Sequence, residues 1–70
     1  MTNMFKALYP DDAGYENAEF KVEVHGVGDP AEHYSSNSLR FTTTEDAEAY
    51  ARDLASRWYG IDKSRVVKVN

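Results

Sequence analysis

The sequence predicts an α+β domain, a mostly antiparallel sheet of three or four strands with one α-helix packed on one face, in the order β-β-β-α-β. Three observations carry this. Apolar and polar residues alternate through residues 20–25 and again through 38–42. A segment bounded by Thr43 and Gly60 places its apolar residues at spacings of three and four, and a β-branched run, SRVVKV, follows it. Seventy residues suffice for one hydrophobic core and not for two, so residues 1–70 form a single domain.

The first element is the least marked. MFKALYP suits a strand from Met4 to Tyr9, ended by Pro10 and the turn residues of DDAG. AEFKVEVH is clearer. Phe20, Val22 and Val24 alternate there with Lys21, Glu23 and His25, which gives one buried and one wet face. Gly26, Gly28 and Asp29-Pro30 then supply the backbone angles of a turn, and SNSLRFT follows with Leu39 and Phe41 alternating against Ser38, Arg40 and Thr42. Strand, long loop and strand make an antiparallel hairpin.

TTEDAEAYARDLASRWYG reads as the helix. Thr43 is placed to accept from the first-turn amides, Asp46 to reach back as the second half of a capping box, and Glu45 and Asp46 to complement the positive end of the dipole. Ala47, Tyr50, Ala51, Leu54 and Trp58 share one stripe, while Glu48 with Arg52 and Asp53 with Arg57 are spaced for ion pairs on the other side. Gly60 stands where a C′ glycine would end the helix. The expected core sets Phe20, Val22, Val24, Leu39, Phe41 and Val67 against Ala47, Ala51, Leu54 and Trp58. The opposite sheet face, with Lys21, Glu23, Arg40 and Thr42, is expected to meet water.

Composition narrows the function classes. There is no cysteine, so neither a disulfide nor a thiolate metal site can brace the fold. No apolar run approaches the roughly 20 residues needed to span a bilayer, and MTNMFKALYPDD has no basic and apolar leader, so a cytoplasmic protein is expected. The formal net charge is −4, and residues 1–32 carry Lys6 and Lys21 against seven acids. That imbalance opposes general nucleic-acid binding, which needs clustered cations.

Chemistry concentrates in HGVGDPAEHYSSN. His25, Asp29, Glu32 and His33 are metal-ligand types, and both histidines of the chain lie here. Parity separates them: His25 shares the outward phase of Lys21 and Glu23, His33 the inward phase of Leu39 and Phe41, so only a bulge within Ser35–Ser38 would unite them. Ser35, Ser36 and Ser38 with His33 and Asp29 hold the letters of a hydrolytic triad crowded into one loop, without a scaffold to space them. Gly26-Val27-Gly28 lacks the third glycine and following helix of a phosphate cradle. No catalytic residue, metal or cofactor is expected.

The remaining candidates are surfaces. Asp11, Asp12, Glu16, Glu19 and Glu23 form an acidic stretch around Tyr15, which is either a solvated face or a patch for a basic partner surface. Of five tyrosines only Tyr50 has a place on the helix stripe, so Tyr9, Tyr15, Tyr34 and Tyr59 are a surplus of the residue type enriched in interfaces. Arg57, Trp58 and Tyr59, near Arg65 and Lys68, make the one basic and aromatic corner, where a base could stack.

Asn37, Leu39, Arg40 and Phe41, then Thr43, Glu45, Asp46, Ala47, Tyr50, Ala51, Leu54, Arg57 and Trp58, compose a pattern that resembles one in small uncharacterised proteins of phage and mobile-element genomes. The resemblance covers about the central third of the chain. It implies a strand-helix-strand core and a phage origin, and no activity. The expectation is a non-enzymatic accessory protein that binds a host protein or complex, modulating or inhibiting a defence or transcription system. Asp11, Asp12, Tyr15, Glu16, Tyr34 and Tyr59 are the contact residues, and a homodimer is compatible with the open sheet edges. The alternative is a nucleic-acid-associated module using the Arg57, Trp58 and Tyr59 corner.

Overall fold

The computed structural model describes residues 5–69 and contains a short 3-10 turn (Tyr15–Asn17), three strands and one α-helix: β1 (Phe20–Gly26), β2 (Ser35–Ser36), α1 (Thr44–Arg57) and β3 (Ile61–Lys68). The sheet is antiparallel with the order β2-β1-β3, and α1 packs across β1 and β3. This is the expected α+β architecture. The first expected strand is reduced, within the described residues, to a single antiparallel bridge between Leu8 and Arg40; Met4 lies outside them.

The helix begins as its sequence dictates. Thr43, extended at φ −132°, accepts the Asp46 N–H on its hydroxyl at 3.1 Å. The reciprocal half of the capping box does not form, because Asp46 Oδ1 accepts instead from the Lys6 N–H at 3.3 Å, tying the N-terminal segment to the helix start. Gly60 does not end the helix. Trp58 itself turns extended at φ −118° after donating its N–H to Leu54 O at 3.0 Å, and Gly60 has no positive φ. Gly60 serves the next turn, where its carbonyl accepts the Val27 N–H at 2.8 Å.

Between β1 and the chain following it the register slips. Phe20 bridges Phe41, yet Glu23 pairs with Ser36, so between these pairings two residues of β1 stand opposite four of the other segment. Two residues are extra, and an even number keeps the phase of the side chains. Leu39 and Phe41 therefore still face the helix, as the alternation predicts. The irregularity is held by Asn37, whose Oδ1 accepts from Leu39 N–H at 3.0 Å while its Nδ2 donates to Tyr50 Oη on the helix at 2.9 Å.

The core consists of Val22, Leu39, Phe41, Ala47, Tyr50 and Ala51, flanked by Phe5, Ala7, Phe20, Val24, Leu54 and Val66. Two expected members are absent. Val67 stands opposite Lys21 on the outer face, and Val66, opposite Val22, takes its place. Trp58 lies beyond the last helical residue and is 58% exposed, because the chain has already left helical geometry there. Phe41 is fully enclosed, with its ring 5.2 Å from that of Tyr50, and Phe5 meets Tyr50 edge-on at 5.5 Å. No described helix is long and apolar enough to cross a membrane.

Candidate functional site

Two surfaces gather the side chains with chemical potential. The first is the outer face of the sheet. Lys21, Glu23 and His25 on β1 lie opposite Val67, Arg65 and Lys63 on β3. Glu23 is the hub: Arg65 donates to it from Nε and Nη2 at 2.7 Å, and Lys21 Nζ lies 3.3 Å away. The Arg65 hydrogen bond, helped by Lys21 and opposed by desolvation, holds the Glu23 carboxyl below its usual range.

His25 extends this network. Although its phase is outward, it is only 4% exposed. The loop after β1 folds back over it: Nδ1 lies 2.8 Å from Asp62 Oδ1, Nε2 lies 2.9 Å from Pro30 O, and the Tyr34 ring sits at 5.4 Å. The same Tyr34 ring lies 3.9 Å under the Arg65 guanidinium. Asp29 packs close over Gly26, where a Cβ would come within 2.6 Å of the movable Asp29 Oδ2, and Gly28 supplies a positive φ of 88° to the turn closed by Asp29 N–H on Gly26 O. The register slip thus brings Tyr34, not His33, to His25. His33 is exposed, and among the described residues no three His, Cys, Asp or Glu side chains are grouped to hold a metal ion.

The second surface is one end of the molecule. The Val27 N–H to Gly60 O bond joins the loop after β1 to the turn between α1 and β3, and Ile61 N–H closes that turn on Trp58 O at 3.4 Å. The backbone of Val27 is thereby tied to Gly60, in the turn that follows Trp58 and Tyr59, and the side chains of Val27, Trp58 and Tyr59 are 64%, 58% and 96% exposed. Beside Trp58 a groove of about 410 Å³ runs between α1 and β2, floored by Val22, Val24 and Leu54 and edged by Ser35 and Asn37.

The expected contact residues do not form one patch in the sense of shared roles. Asp12 Oδ2 accepts the Tyr9 N–H at 2.8 Å and shapes its own turn. Tyr15 donates its hydroxyl to Ser38 O at 2.7 Å and lies under Arg40. Tyr34 covers His25 on the sheet. Asp11, Glu16 and Tyr59 are exposed. Val27 and the groove were missed by sequence reasoning; Val27 sits between two turn glycines, where an apolar residue serves no strand and so signals exposure.

The basic corner changes character as well. Arg57 is paired with Asp53 at 2.9 Å, Arg65 with Glu23, and Lys68 with Glu19 at 3.8 Å. Of the residues that carry the resemblance, Leu39, Phe41, Ala47, Tyr50 and Ala51 are core, Asn37 and Thr43 are bonded within the fold, and Trp58 is the one large apolar side chain left exposed. No family model, no curated protein and no solved structure is similar enough to this chain to count as a match.

Proposed function

We propose that this chain is a protein-binding module whose anchor is the aromatic end formed by Trp58, Tyr59 and Val27 over the adjoining groove. One observation carries the reading: three of the four large hydrophobic residues that the described structure exposes are joined at a single end through two backbone hydrogen bonds. Exposed Trp and Tyr beside a groove are the composition of a binding hot spot, and Asn37 and Ser35 at its edge supply polar groups to orient a ligand. A partner presenting an apolar side chain to the groove fits this surface.

The finer reading, an accessory protein of phage or mobile-element origin that modulates a host system, is supported by the resemblance of residues 37–58. Nucleic-acid binding draws on the same aromatic pair but finds fewer cations for phosphate, since Arg57, Arg65 and Lys68 are neutralised by carboxylates of their own chain. Affinity capture from host lysate with the wild-type chain and with a Trp58→Ala/Tyr59→Ala variant tests the proposal. A partner retained by the wild type and by Asp11→Lys/Glu16→Lys, yet lost by the aromatic variant with its circular dichroism unchanged, is the expected result. Loss on acidic-patch reversal with retention by the aromatic variant would move the interface to the acidic stretch.

A further inference from the structure

We infer that the free edge of β3 is the seam of a symmetric homodimer, two copies pairing β3 to β3 antiparallel about a two-fold axis at Val66. The inference is independent of the aromatic end. β3 is eight residues long and, among the described residues, is hydrogen-bonded on one side only, by β1. Which of its groups face outward follows from two observations. Val69 N–H bonds to Glu19 O at 2.7 Å, whereas Phe20 exchanges both its backbone bonds with Phe41 on the other side of β1. Alternation then turns Lys63, Arg65 and Val67 toward β1, and leaves the N–H and C=O of Ser64, Val66 and Lys68 on the open edge.

The space beside that edge selects the occupant. Between α1 and β3 runs a second groove of about 500 Å³, with Ala51, Ala55, Ser64 and Val66 in it and Glu48 and Arg52 at its margin. Because α1 straddles β1 and β3 and strands lie about 4.8 Å apart, pairing two β3 edges sets the two helices about 10 Å apart, at the packing distance of helices. A second copy therefore brings its own helix to close the groove, and Ala51 and Ala55 permit that approach. A lone strand would leave the groove open above it.

Charge agrees with a two-fold. Glu48 and Arg52 have the spacing of an intrahelical pair, yet no ion pair between them forms among the described residues. On antiparallel helices each meets its opposite, Glu48 facing the partner's Arg52 and Arg52 the partner's Glu48. Register is then filtered by repulsion. Centring the axis on Arg65 opposes two guanidinium groups, and centring it on Ser64 sets Lys63 against the partner's Arg65. With the axis at Val66, Arg65 lies opposite the partner's Val67, Lys63 opposite the partner's Val69, and Ser64 opposite the partner's Lys68. No like charges stand directly opposite one another. Lys68 and Arg65, which would otherwise guard an edge strand, are already paired with Glu19 and Glu23.

Sedimentation of the purified chain from micromolar to millimolar concentration should show a monomer converting to a species of twice the mass. The chain has no cysteine, so Val66→Cys supplies a single thiol; about 5.5 Å between paired Cα atoms lies within disulfide reach, and oxidation should yield a linked dimer that Val67→Cys does not. Glu48→Arg should weaken dimerisation about tenfold, and Glu48→Arg/Arg52→Glu should restore it. A chain monomeric at every concentration overturns the inference. A dimer that neither crosslinks through Val66→Cys nor responds to the helix charges overturns it equally, by placing the interface elsewhere.

Discussion

His25 presents two ring nitrogens to two acceptors, the Asp62 carboxylate and the Pro30 carbonyl. Only the imidazolium can donate to both at once. Its pKa is accordingly raised above the ordinary 6.5, first by the Asp62 hydrogen bond and then by the Pro30 carbonyl, against desolvation and the neighbouring Lys63. The charged groups about it are Asp62 and Lys63 on β3 and, two residues back on its own strand, Glu23, already engaged by Arg65. A raised folded-state pKa contributes stability that is complete below the unfolded value and is lost as pH rises through the folded one. The melting temperature should therefore fall as pH climbs above about 6.5, and His25→Gln should flatten that slope. An NMR titration placing the His25 pKa at or below its ordinary value would contradict this. Sequence parity correctly set His25 on the outer face but implied solvent there, since nothing local announces that Asp62 and Tyr34 converge on it from positions 37 and 9 residues further along the chain.

At the level of elements, what was legible depended on whether the cause was local. The helix was readable because Thr43, the first-turn acids and the three-and-four spacing all lie within its own segment, and the hydroxyl of Thr43 does cap it. Thr43→Ala should cost about 1 kcal/mol, which in a domain of this size lowers the melting temperature by about 4–8 °C in a thermal scan. A shift under a degree would mean that the Lys6 to Asp46 bond already fixes the helix start. The strand through residues 38–42 was readable in phase but not in extent. Its break into β2 and separate bridges follows from Asn37 bonding Tyr50, a tertiary contact 13 residues away that no propensity encodes. Helix termination was misread for the same reason: Gly60 is drawn into the Val27 turn, so the chain leaves the helix at Trp58 and exposes the indole on which the proposed function rests.

The whole molecule has little stability to lose. Seventy residues at about 0.05–0.15 kcal/mol each give a net of about 3.5–10 kcal/mol. Among the described residues Phe41 is the one large side chain enclosed to the last atom, between β1 and Tyr50. Truncation of a buried phenylalanine costs about 3–5 kcal/mol, a sum comparable with the net stability itself. Phe41→Ala should therefore leave a substantial unfolded population at room temperature, seen as a lost native baseline in urea titration. Trp58→Ala should stay within about 0.5 kcal/mol of wild type, because an exposed ring contributes little packing. The pair separates residues the fold requires from those it leaves available. If Trp58→Ala were instead to unfold the chain while Phe41→Ala did not, the indole would be core and the aromatic end would have no claim as a binding surface. A domain this marginal also gains from association by mass action, so a rise of melting temperature with protein concentration, displaced to about tenfold higher concentration by Glu48→Arg, would tie its stability to the β3 seam.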